Sequence, residues 1–320
     1  MPLCCHGISL FSILSLVVTT ASFRGVSAVD AKVVWASGTE GAVVRTIDGG
    51  KTWSTSKVEG SLDFRGLHAL NAKVAWILSS GPGDKSRIYK TENGGEKWTL
   101  QFTNPDAQGF FDAISFFDAQ RGIVLGDPVD GHFAILTTSD GGKTWTRQTG
   151  PAALPNEGAF AASNTCLIVQ GKNAAWFATG GARVFRSDDS GQSWTVAATP
   201  IRHDSASAGI FSLAFSDEKH GVAVGGDYSK PNENAANIAI TSDGGRTWSA
   251  PAGTRPNGYR SAVIHVSDRW FATGPSGTDV SLDNGNSWKS WDAAPYNALA
   301  AAAGTVWAVG AKGHIARMFP

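Results

Sequence analysis

Thr46-Ile-Asp-Gly-Gly-Lys-Thr-Trp53 is the first of six copies of one phrase, Ser/Thr-x-Asp-x-Gly-x-x-Trp. The others run Thr91 to Trp98, Thr138 to Trp145, Ser187 to Trp194, Thr241 to Trp248 and Ser281 to Trp288. Their tryptophans lie 45, 47, 49, 54 and 40 residues apart. A period in the forties built from short β-type segments is that of a β-propeller with one blade per repeat. The segments between copies repeat as well: Phe23 to Trp35 is nearly restated by Phe64 to Trp76. Inner A strands are expected near Phe23, Phe64, Phe111, Glu157, Ile210, Tyr259 and Tyr296. The B strands that follow in the last five units are expected near Ile123, Ala175, Val222, Trp270 and Val306. Seven A, B and C strands but six boxed D strands leave one outer strand to be found, and the spare segment is N-terminal. The expectation is an all-β, single seven-bladed propeller over residues 22–320, closed by N- and C-terminal strands so that no sheet edge is left open.

Each residue type in the phrase has a structural task. The acid (Asp48, Asp140, Asp189, Asp243, Asp283, with Asn93 in the second copy) can accept hydrogen bonds from its own turn. The glycines after it supply positive φ angles. The closing indoles (Trp53, Trp98, Trp145, Trp194, Trp248, Trp288) are expected to wedge between blades, each contributing at most about 4–6 kcal/mol at full burial. These aspartates are structural rather than catalytic. Gly49-Gly-Lys-Thr52 and Gly141-Gly-Lys-Thr144 mimic the end of a phosphate loop. Arg45 and Thr137 stand where that motif needs its first glycine, so nucleotide binding is rejected.

Composition narrows the classes. Twenty-seven basic and 27 acidic residues give a formal net charge of zero, without a basic run; a nucleic-acid role is therefore rejected. Three cysteines make no disulfide framework, and Cys166 in an apolar strand reads as a buried thiol. No Cys/His spacing suits a metal, and no pattern calls for a cofactor.

At the N-terminus Ile8 to Val18 is apolar and Thr19-Thr-Ala21 resembles a cleavage site, yet Met1 to Gly7 holds no Lys or Arg. Residues 1–21 therefore read either as a signal peptide, placing the chain in the periplasm or outside the cell, or as a stretch including Ile13 to Thr20 that closes the last blade of a cytoplasmic protein. Cys4 and Cys5 precede the apolar run, so a lipid anchor is not expected, nor a transmembrane anchor.

In a propeller the boxes share a face with the A–B turns, so binding is expected on the opposite face, where longer loops gather. Aligned at the start of strand A, the channel ring reads Arg24, Arg65, Asp112, Glu157, Phe211, Arg260 and Asn297. Extended loops on that face add His132, Arg202, His203, Asp227 and Tyr228.

Boxes, copy number and spacing resemble the BNR/Asp-box repeat superfamily over nearly the whole chain, Thr20 to Met318. Within it, Gly209-Ile-Phe-Ser-Leu-Ala-Phe215, His220-Gly-Val-Ala-Val-Gly225 and Gly304-Thr-Val-Trp-Ala-Val-Gly310 resemble the photosystem II stability/assembly factor group. That resemblance implies a monomeric, non-catalytic binding propeller whose arginine-bearing face meets a protein partner, with Arg24, Arg65 and Arg260 as the patch. The alternative is a sialidase-like glycoside hydrolase acting on glycans. Arg-Ile-Pro is absent, none of the four tyrosines (Tyr89, Tyr228, Tyr259, Tyr296) is a clear nucleophile, and Asp112 with Glu157 is the one conceivable acid–base pair.

Overall fold

A computed structural model describes residues 13–17, 19–58 and 60–318, with the strand Ile13–Val17 described by its backbone alone. Among the described residues there is no α-helix, and the strands form seven antiparallel sheets. Six sheets have four strands and one has three. Blade one is typical, running outward through Phe23–Ala28, Val34–Gly38, Ala42–Thr46 and Ser54–Lys57. In blade seven the outer strand is Ile13–Val17, paired from Ile13↔Met318 to Val17↔His314. The ring is therefore closed by strands from both ends of the chain.

Two blades depart from expectation. Blade five has no regular D strand, only an isolated bridge between Ile240 and Ser249. Pro251 follows two residues later and has no N–H to continue the ladder. Blade four begins its A strand at Leu167 rather than at Glu157. The chain ahead of it bonds across the central channel instead. Asn164 Nδ2 donates to Leu67 O (3.2 Å) and Ile114 O (3.0 Å), and Ile114 N donates to Asn164 Oδ1 (2.9 Å). Ser163 Oγ donates to Ser261 O at 2.8 Å, and Thr165 Oγ1 meets Ser212 Oγ at 2.7 Å. Residues 163–165 thus touch blades two, three, five and six, and fill the channel.

The boxes work as turn locks. Asp48 Oδ1 accepts from Thr52 N (2.9 Å) and Thr46 Oγ1 (2.8 Å), and Oδ2 accepts from Thr52 Oγ1 (2.6 Å). These bonds, led by that of Thr52, hold the Asp48 carboxyl down at about 2. Gly49 N bonds Lys32 O, tying the box to the A–B turn of its own blade; Gly94, Gly141, Ser190 and Gly244 repeat the contact.

The second glycine of the box meets the neighbouring blade. Each sits at positive φ, and a Cβ on Gly50, Gly95, Gly142 or Gly245 would press on Trp307, Trp35, Trp76 or Trp176 of the preceding blade. Those B-strand tryptophans are at most 2% exposed. The box indoles are less deeply set: Trp53 and Trp98 are half-buried and lie edge-on to Trp307 and Trp35 at 5.9 and 6.1 Å. The wedge between blades is thus mainly the B-strand indole, and full burial overstates what a box tryptophan such as Trp53 contributes.

His68 packs on the rings of Phe116 (5.3 Å) and Trp76 (6.3 Å), and burial pulls its pKa down to about 4. An unfolded histidine titrates near 6.5, so the unfolded state takes up more protons between those values. Stability is expected to fall as pH drops from about 6.5 toward 4. Thermal unfolding of His68→Phe should show a shallower acid decline than the native chain; parallel declines would exclude His68 as a cause.

Candidate functional site

On the box-free face lies a central cavity of about 510 Å³. Three of its polar lining residues, Arg24, Arg65 and Asp112, sit at register shifts of the A strands, between Phe23/Gly25, Phe64/Gly66 and Phe111/Ala113. Phe211 occupies the same position in blade five, between Ile210 and Ser212. A bulge re-aims the extra side chain, which is why an Arg, an Asp and a Phe in apolar strands come to face one cavity. Asn297 joins them from blade seven and donates to Phe23 O at 2.8 Å.

The two sides of the cavity differ in chemistry. Arg65 pairs with Asp63 at 2.7 Å. Among the described residues Arg24 has no ion-pair partner, and burial together with the Arg65 cation lowers its pKa from the ordinary guanidinium value. Asp112 is 1% exposed with neither oxygen hydrogen-bonded. Burial, followed by the Asp127 carboxyl, pushes it well above the usual carboxylate range. Asp127, which also lines the cavity, is raised by burial and accepts from Ala159 N at 2.9 Å. Burial disfavours the charged form of Asp112, and Asp63, the carboxyl whose field reaches Arg24, is already paired with Arg65. The facing wall is aromatic. Phe160 stacks on Phe211 at 3.8 Å, Tyr259 meets Phe211 edge-on at 4.7 Å, and exposed Tyr228 stands at right angles to the stack.

Several expected members of the ring lie elsewhere. Arg260 is one residue out of register, because Ser261 takes the cavity position in blade six. Arg260 is 1% exposed, with Nε 2.8 Å from Asp279 Oδ2 and Nη1 2.9 Å from Tyr259 O, so it braces blade six. A slip of one residue sends a side chain to the opposite face of a strand. Glu157 is off the channel, bound to Arg183, Thr179 and Leu154 N in the wall above blade four. Asp112 and Glu157 line different cavities and are not brought together as an acid–base pair.

The loop residues divide in the same way. Tyr228 reaches the cavity, while His132 lies on the outer side of blade three. Arg202 bonds Asp204 at 3.0 Å and Glu233 at 2.7 Å, joining two loops, and His203 lines a groove beside blade four. Asp227 is a turn anchor. Burial opposes its ionisation, but bonds from Ser207, Ser229 and Ser205 bring its carboxyl to about 2. Asp127, Phe160, Tyr259 and Ser261 were missed as site residues. The apolar run Cys166-Leu-Ile-Val169 was the available sign that blade four starts late, leaving Phe160 free to cross the mouth. Cys166 is buried and free. Among the described residues no cluster of three or more His, Cys, Asp or Glu could hold a metal, and no helix is long and apolar enough to cross a membrane.

Fold and boxes define a seven-bladed Asp-box β-propeller. Residues 70–206 match the family model described as photosynthesis system II assembly factor YCF48, and the chain resembles the photosystem II assembly factor-like propellers. A curated relative, the photosystem II assembly lipoprotein Ycf48 of Synechococcus sp. (strain CC9902), is 29% identical over 118 residues, 37% of this chain and 32% of the relative. The match thus spans about a third of that relative's length. Solved structures of YCF48 bound to a D1 peptide and of YCF48 from Cyanidioschyzon merolae both superpose with TM-score 0.65. They are 17% and 16% identical, cover 96% of this chain, and are themselves covered over 97% and 98%. Virginiamycin B lyase from Staphylococcus aureus reaches 0.62 at 16% identity, over 97% of this chain and 99% of its own. At these identities the likeness is one of fold, and a fold shared with a lyase assigns no activity.

Proposed function

We propose that this chain is a non-catalytic binding or assembly propeller that holds a protein partner on the face opposite the boxes. The observation that carries this reading is Arg24, a partly buried cation without an ion pair, set beside Arg65 and facing an aromatic wall. Keeping such a charge from water is costly unless something pairs with it, and an acidic group of a partner would do so. Exposed Tyr228 beside the Phe160–Phe211 stack offers the rigid aromatic area that binding sites favour. The D1 peptide held by a related propeller supports a polypeptide as the partner class. In this reading the chain is monomeric and exported, and the Synechococcus relative's being a lipoprotein supports export. Cleavage near Ala21 would remove Ile13–Val17 from blade seven, so the exported form is expected to keep that strand.

Affinity capture from the host with the native chain and with Arg24→Ala/Arg65→Ala tests the reading. Losing charge-assisted contacts worth about 1.5–3 kcal/mol each should cut partner recovery at least about tenfold. Equal recovery by both proteins would overturn it. Arg260 is left intact because its loss would strand Asp279 inside blade six.

A further inference from the structure

We propose that the saddle over blade four is a second binding site, continuous with the central cavity, which takes an extended, uncharged stretch of the partner's chain as it leaves Arg24. The inference rests on the reading above that the box-free face binds a polypeptide. Blade four is low between tall neighbours. Its B–C connection is only Thr179 to Ala182, between strands ending at Ala178 and starting at Arg183. In blade three the corresponding strands extend up to Val129 and His132, and in blade five the connection runs from Tyr228 to Asn237.

Between those walls lies a groove of about 790 Å³ that shares Asp127, Ala159 and Phe160 with the central cavity. Gly158, Gly180 and Gly181 line it beside Ala206, with the side chains of Asp127, Phe160 and Glu157 packed where a Cβ on each glycine would point. The fold does not itself demand glycine at 180, where an added Cβ would meet no atom nearer than 3.4 Å.

The walls are built and electrically settled. Glu157 is held by Arg183 and Thr179, and Arg202 by Asp204 and Glu233. What they leave outward is mixed: Leu154, 51% exposed, stands with exposed Pro155 and Ala206 beside polar Asn156, His203 and Ser205 and the Arg202-paired Asp204, and Tyr228 is 54% exposed at the adjoining cavity. Among the described residues lining the groove and the cavity, the cation without an ion pair is Arg24, at the inner end. Charge complementarity therefore sets the occupant: an extended segment with an acidic group at Arg24 and uncharged residues across blade four.

Phage-displayed random 12-residue linear peptides are selected on the immobilised native chain. An enriched peptide is then synthesised with fluorescein and measured by fluorescence polarisation. Enriched sequences should carry an acidic residue followed by uncharged ones. Gly180→Leu, which fills the floor, and Ala206→Trp, on an exposed loop where folding is not at stake, should each weaken the peptide about tenfold or more. A peptide truncated to its acidic half should bind both variants as it binds the native chain. If both variants bind the full peptide like the native chain while Arg24→Ala does not, the saddle proposal is overturned and the partner-binding face stands. If the native chain enriches no peptide, both readings fall.

Discussion

Trp176→Ala is expected to destabilise the propeller by about 3–5 kcal/mol, the usual range for deleting a buried indole. For a chain of this size that shifts the melting temperature by roughly 4–8 °C. Trp176 is 1% exposed, donates Nε1 to Gly244 O at 2.9 Å and stacks on Phe215 at 4.5 Å. Its ring also lies under the Arg186 guanidinium, 5.7 Å from the centroid, and Arg186 Nη1 bonds the same Gly244 carbonyl at 3.2 Å. Truncation therefore opens a cavity and unseats the joint between blades four and five together. Trp53→Ala, removing a half-buried box indole, should cost clearly less. Calorimetry of the two variants checks the order, and equal losses would show that the box indole matters as much as the joint.

A chain starting at Ser22 is expected to lose about 3–6 kcal/mol and to self-associate. Removal of residues 1–21 takes away the five-residue pairing of Ile13–Val17 with His314–Met318, with ladder bonds worth about 0.5–1.5 kcal/mol each. It also removes the Gly313 N to Ala21 O bond of 2.6 Å. The strand His314–Met318 would then present an open edge, a template for pairing with another chain. Melting temperature and light scattering read both effects, and a synthetic peptide of residues 11–21 added in trans should partly restore the first. An unchanged melting temperature would mean that the N-terminal strand adds nothing to closure. The joint at the seam does not depend on that strand: Trp307 packs on Gly50 and Arg317 Nη1 bonds Gly49 O at 2.9 Å.

Architecture was legible because it repeats. A box that needs Asp, Gly and Trp at fixed offsets marks the same turn wherever it occurs, and counting strands between boxes gives seven blades and a missing outer strand. B strands could be placed to within a residue because continuous apolar runs carry them: Val34–Gly38 and Ala75–Ser79 are buried at every position. The site was legible only where the repeat held. Arg24, Arg65, Asp112, Phe211 and Asn297 were found by alignment to Phe23 and Phe64, and all five line the cavity.

Alignment failed where the chain stops repeating. In blade six a single-residue slip exchanged Arg260 for Ser261, and in blade four the segment before Leu167 left its sheet to fill the channel. By itself, then, the sequence determined the fold, the blade count and the face that carries the boxes, since these follow from local turn chemistry and a two-residue strand period. Only the tertiary structure decided which charges are free. Arg260 and Arg24 are the same residue type at nearly the same strand position. One is neutralised by Asp279 on the strand Gly277–Ser281 of its own blade, and the other faces a cavity where the carboxyl acting on it, Asp63, is already paired with Arg65 and burial disfavours the charge of Asp112. Pairing and desolvation depend on residues far apart in the chain, and no local pattern encodes them.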